Sequence, residues 1–217
     1  MLSADGVSRC WGDTSTWTST VCDSPNPQTR VSAAPVAWPV SARLTLGADF
    51  ACVANATGAT QCMGANNQAQ LGDTTTSGRT TFAPVASLGA VRSLAANPAG
   101  QSACAVLPDS TAQCWGLNTS GQLGDGTTTS PRISPRSVVT AAGPLTGITQ
   151  LALGPNHGCA LVTDGTVQCW GANASGQLGD GTTTARSTAA PVVGLTAVTA
   201  LARAASSKLL HFQLIRA

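Results

Sequence analysis

Glutamate and tyrosine are absent from this 217-residue chain, lysine occurs once (Lys208), and charged residues make up only 9%. With aspartate as the sole acid, the closely paired carboxylates that glycoside hydrolysis requires are missing. A formal net charge of +2 with no lysine–arginine stripe excludes the basic footprint of a nucleic-acid binder. No run of about 18 apolar residues occurs, so no segment is long enough to span a bilayer as a helix. The N-terminus lacks a charged segment followed by an apolar core, so no signal peptide is legible. Nucleophile-elbow, P-loop and dinucleotide fingerprints are also absent. The chain therefore reads as a non-enzyme that needs no cofactor.

What is present is repetition. CALVTDGTVQCWGANASGQLGDGTTT (159–184) has a near copy, CAVLPDSTAQCWGLNTSGQLGDGTTT (104–129), and a weaker one, CVANATGATQCMGANNQAQLGDTTTS (52–77). A damaged copy opens the chain at LSADGVSRCWGDT. The landmarks Trp11, Met63, Trp115 and Trp170 lie 52, 52 and 55 positions apart. A period of that size marks a supersecondary unit that stacks on copies of itself. Threonine, serine, glycine, alanine and valine dominate, which favours strands and turns over helices. The fold class is all-β.

In the best copy the alternating ITQLAL (148–153) predicts a strand. Residues 157–162 and 166–171 flank Thr163-Asp164-Gly165, where Gly165 supplies the positive φ of a short hairpin turn. Ser110 stands in its place in the second copy. APVV (190–193) predicts a fourth, proline-bearing edge strand. Four short strands joined by turn residues make one propeller blade.

Six cysteines fall into pairs ten residues apart: Cys52/Cys62, Cys104/Cys114 and Cys159/Cys169. A three-residue turn sets Cys159 opposite Cys169 at a non-hydrogen-bonded site, where side chains approach most closely. A cross-strand disulfide is geometrically plausible in all three hairpins, each worth about 2.5–3 kcal/mol on the chain-entropy view. Cys10 matches Cys169, but its partner would precede Met1, and Cys22 has no counterpart. Either the two bond each other or Cys10 is an orphan.

The entry Leu151–Gly154, His157, the CAL triplet at Cys159, Asp164-Gly165, Trp170-Gly171, Asn173 and Gly176-Gln177-Leu178-Gly179 carry a family cadence. It resembles the regulator of chromosome condensation repeat, in the form common in bacterial surface and secreted proteins. The likeness covers residues 1–202, with an irregular, truncated first repeat, and leaves 203–217 as an off-pattern tail. It implies a β-propeller, usually of seven blades, with function in loops on the ring faces. About four repeats make the chain an arc of a larger ring, or a smaller ring in which the tail and N-terminal strands share a blade. Because Met1 falls inside a repeat, the reading frame is expected to start further upstream.

The structural residues singled out are Asp164, Gly165, Trp115, Trp170, Gly116 and Gly171, with the six paired cysteines. No metal site is expected, since close C-x₂-C pairs are missing and each GDG loop (Asp125-Gly126, Asp180-Gly181) offers a single carboxylate. An Asx-turn accounts better for those aspartates. His157, whose counterparts are Phe50 and Ser102, reads as a partly buried packing residue with a satisfied hydrogen bond. Trp17 and Trp38, outside the repeated position, either pack the first repeat or anchor a partner. The expected function is a disulfide-stapled scaffold, extracellular or on the cell surface. It would bind a protein or glycan through loops 66–76, 118–129 and 173–184. The alternatives are a cytoplasmic exchange factor-like regulator of a small GTPase, as the family's nuclear namesake is, and a secreted enzyme inhibitor.

Overall fold

The computed structural model describes residues 43–96 and 99–201, together with the backbone of 8–12 and 30–36. The expectations for Cys22, Trp17, Trp38 and the tail from 203 lie outside these residues, as do the side chains of Cys10 and Trp11. All described elements are strands or turns. A two-stranded ribbon, β1 (Ser8–Gly12) and β2 (Arg30–Val36), precedes three four-stranded antiparallel sheets. The first comprises β3 (Arg43–Leu46), β4 (Phe50–Ala54), β5 (Thr60–Gly64) and β6 (Arg79–Pro84). The second comprises β7 (Ser93–Ala96), β8 (Ser102–Val106), β9 (Ala112–Gly116) and β10 (Arg132–Ser137). A small ribbon, β11 (Val139–Thr140) and β12 (Gly143–Pro144), leads to the third. That sheet holds β13 (Ile148–Leu153), β14 (His157–Val162), β15 (Val167–Gly171) and β16 (Arg186–Pro191). Strands follow chain order in each sheet, the up-and-down meander of a propeller blade.

The sequence places the fourth strand at 190–193, but it runs from Arg186 to Pro191. A bulge between Cys169 and Gly171 sets Gly171 opposite Arg186 and Cys169 opposite Ala190, so pairing starts earlier than the apolar run suggests. Val192 and Val193 already lie beyond the strand, and the Val193 amide turns back to the Gly179 carbonyl, 2.9 Å away.

In the central hairpin of each sheet the register sets Cys52 opposite Cys62, Cys104 opposite Cys114 and Cys159 opposite Cys169. All three pairs are bonded, with Cα atoms 4.2, 4.0 and 4.1 Å apart. The Val162 amide bonds the Thr166 carbonyl at 3.0 Å, and Asp164 Oδ1 accepts from the Thr166 amide at 2.8 Å, closing the turn. Gly165 has φ 78° and Ser110 φ 64°, so the serine bears a left-handed conformation that costs an L-residue about 1 kcal/mol. Ser110→Gly should therefore raise stability by roughly 0.5–1 kcal/mol. Denaturant titration checks this, and no gain would mean that the serine is held there without strain. Gly116 and Gly171 end their strands where a Cβ would come within 2.5 Å of the Gln101 or Asn156 carbonyl.

The core lies between neighbouring sheets. Phe50, Leu71, Leu94 and Trp115 form one cluster across the first two sheets. Leu123, Val138, Ile148, Leu153 and Trp170 form the next across the second and third. Each sheet thus buries its apolar face against its neighbour, as stacked repeats must.

Candidate functional site

Antiparallel order brings the loops after β5, β9 and β15 to the same end of each sheet as the turns joining its first two strands. The amides of Ala65, Leu117 and Ala172 bond the carbonyls of Asp49, Gln101 and Asn156 across that end. The short hairpin tips lie at the opposite end. Loops 66–76, 118–129 and 173–184 therefore share one face.

Each loop is folded around one buried asparagine. Asn118 Nδ2 donates to Asp125 Oδ1 (3.1 Å) and to the carbonyls of Thr127 (3.2 Å) and Thr129 (3.3 Å). Its Oδ1 accepts from the Leu123 amide at 3.0 Å. Asn66 and Asn173 repeat the pattern toward Asp73 and Leu71, and toward Asp180 and Leu178. The aspartate then makes an Asx-turn, accepting from both the amide and the hydroxyl of the threonine two residues on. Its second oxygen takes an arginine: Arg79 on Asp73 at 2.5 Å, Arg132 on Asp125 at 2.6 Å, and Arg186 on Asp180.

These bonds leave the carboxylates little else to do. The Thr182 hydroxyl above all, then the Thr182 amide, Asn173 and Arg186, holds Asp180 below the ordinary aspartate range. At Asp73 partial burial pushes the value up, but bonds from Thr75, Arg79 and Asn66 outweigh it and the net displacement is downward. Among the described residues no three His, Cys, Asp or Glu side chains come together.

The loops also lock adjacent sheets. Trp115 Nε1 donates to the Gln70 carbonyl and Trp170 Nε1 to the Gln122 carbonyl, each at 2.9 Å, and both indoles are fully buried. The rings lie so close to Gly72 and Gly124 that a Cβ there would come within 2.8 and 3.0 Å of them. The Thr74 amide bonds Ile133 in the next sheet, and the Gly126 amide bonds Ser187. Exposed to solvent, among others, is a crest of small, mostly polar residues: 74–77, 128–129 and 181–185.

His157 packs as expected, but it is fully rather than partly buried (3% exposed) and one ring nitrogen, Nε2, has no hydrogen-bond partner. The ring lies over Gly154, where a Cβ would come within 2.2 Å, as Phe50 lies over Gly47. Burial pushes the His157 pKa down. The unfolded chain then binds a proton that the folded chain refuses, so stability falls as pH drops below about 6.5. His157→Phe should flatten thermal stability between about pH 5 and 7. An unchanged slope would place the titrating group elsewhere.

The asparagine and arginine roles were not singled out from the sequence. The signal was present, because an arginine follows each loop aspartate by six or seven residues.

Three meander sheets with cores between them define a β-propeller repeat protein. Residues 114–161 match the Regulator of chromosome condensation (RCC1) repeat, and residues 148–177 match it again. The chain carries repeats of this family. Among solved structures it is similar to yeast RCC1 (Prp20) bound to Kap60, with TM-score 0.65 and 19% identity over 85% of this chain and 44% of that one. Prp20p from Saccharomyces cerevisiae, in a structure whose description concerns binding to Gsp1p and histones, gives 0.63 and 20% over 82% and 44%. Human WBSCR16 gives 0.64 and 19% over 77% and 42%. The chain thus spans less than half the length of these propellers, and the likeness is one of fold.

Proposed function

We propose that the chain is a non-catalytic scaffold that binds a protein partner through its loop-bearing face, in an oxidising, extracellular setting. One observation carries this reading: the same rigid, internally bonded loop stands at the same end of three successive sheets and offers an exposed polar crest. Loops held on rigid strands are the usual place for recognition, and here rigidity lowers the ordering cost of binding. The loop aspartates are engaged by threonine, asparagine and arginine, which supports binding rather than catalysis. Three bonded cysteine pairs support the oxidising compartment. Yeast RCC1 (Prp20) bound to Kap60, and Prp20p described with Gsp1p and histones, are neighbours that bind proteins, which supports protein recognition here.

The test is a triple variant, Thr76→Arg, Thr128→Arg and Thr183→Arg, screened with the parent against a panel of extracellular proteins. The reading expects unchanged melting and loss of whatever binding the parent shows. Binding that survives all three changes would remove the loop face from the account. Exchange-factor activity is the competing reading, and accelerated nucleotide release from a small GTPase would favour it; none is expected.

A further inference from the structure

The chain holds three Asn-x-Ser/Thr sequences, the acceptor motif for an N-linked oligosaccharide: Asn55-Ala56-Thr57, Asn118-Thr119-Ser120 and Asn173-Ala174-Ser175. The fold treats them in opposite ways. Asn118 and Asn173 are the loop centres described above, 0% and 1% exposed. Each Nδ2 is committed to an aspartate and to threonine carbonyls. A sugar on either nitrogen would displace those bonds and need space inside a packed loop.

Asn55 lies at the hairpin tip between β4 and β5, and Asn55, Ala56 and Thr57 are all exposed. Its counterparts in the other two hairpins are Leu107 and Val162, which pack half-buried against the cores. The turn itself is the same in all three. The amides of Asn55, Leu107 and Val162 bond the carbonyls of Ala59, Thr111 and Thr166 at 3.1, 2.9 and 3.0 Å. The first hairpin thus sets an exposed amide side chain where its copies set an apolar one. Asn55 Oδ1 accepts from the Thr57 amide (3.0 Å), the Thr57 hydroxyl (2.7 Å) and the Ala59 amide (3.0 Å). None of these bonds uses Nδ2. Glycosylation replaces one Nδ2 hydrogen and leaves Oδ1 a carbonyl acceptor, so the turn keeps all three.

We propose that Asn55 is an N-glycosylation site, and that Asn118 and Asn173 stay unmodified in the folded chain. The proposal rests on the extracellular reading above, because the motif is used in secreted chains. The co-reactant is an oligosaccharide joined to a lipid diphosphate. Nδ2 bonds its anomeric carbon, the bond from that carbon to the diphosphate oxygen breaks, and the lipid diphosphate leaves. The proton released from Nδ2 passes to a base on the transferase. Because the hairpin tips lie at the end opposite loops 66–76, 118–129 and 173–184, the glycan leaves the loop face open to a protein partner.

The test carries the full chain through a eukaryotic secretory pathway behind an added leader. Enzymatic release of N-glycans in heavy-oxygen water leaves a labelled aspartate at each occupied site, read by peptide mapping. Label is expected at Asn55 and at neither Asn118 nor Asn173. Ala56→Pro is the matched control, since proline at the middle position blocks transfer while Asn55 and Thr57 remain. The second hairpin carries Pro108 at that place in the same turn, so this variant should oxidise and melt like the parent, one glycan lighter. An unlabelled Asn55 in a chain with all three disulfides would overturn the proposal and leave the extracellular reading standing. Label at Asn118 or Asn173 in the oxidised chain, or an Ala56→Pro variant that keeps its glycan, would also overturn it. Free thiols at the six paired cysteines would overturn the extracellular reading, and the proposal with it.

Discussion

Replacing Trp170 with alanine is expected to lower stability by about 3–5 kcal/mol, the largest single-residue loss in the described chain. The indole is fully buried between two sheets, its Nε1 holds the Gln122 carbonyl, and its ring lies against Gly124 and Gly158. Removing it opens a cavity in the cluster that joins the second sheet to the third. In a repeat array, stability is a sum of unit and neighbour contributions, so the loss falls on the junction. Calorimetry should show one transition splitting in two, with the third sheet melting first. A single transition with a loss below about 1 kcal/mol would mean that the sheets do not depend on the lock.

Asn118→Ala should cost roughly 2–4 kcal/mol, although it removes few atoms. The buried Leu123 amide loses its acceptor, and Asp125 and two threonine carbonyls lose a donor. Unmade hydrogen bonds at buried groups cost more than made ones contribute. The effect should be local: amide exchange across 118–129 should quicken while β8 and β9 stay protected. Uniform acceleration through the second sheet would instead make the asparagine part of the global core.

The two predictions rest on features that differ in how plainly the chain displays them. The meander was legible because strand alternation, turn glycines and the repeat period all point the same way. The hairpin register follows from arithmetic alone, once Asp164-Gly165 fixes a three-residue turn. The outer strand was misplaced because RSTAAP carries no alternation and its pairing begins after a bulge, whereas APVV looks more strand-like. A buried histidine is expected to be hydrogen-bonded because buried polar groups nearly always are, and nothing in the sequence signals that His157 Nε2 has no partner. The loop scaffold was the least legible part. Asparagine, aspartate and threonine in a glycine-rich stretch also describe an unstructured loop, and only the folded chain shows Asn118 Nδ2 at the centre of its loop. The Trp lock lay in view as a periodic tryptophan, but nothing in the periodicity says that each indole donates to the preceding repeat.

Three hairpins each carry their own sulfur bridge and stack side by side. Peptide mapping of the oxidised chain without reduction tests this most directly. It should recover linked peptides containing Cys52 with Cys62, Cys104 with Cys114, and Cys159 with Cys169. Free thiols at these positions, or bridges running from one repeat to the next, would contradict it.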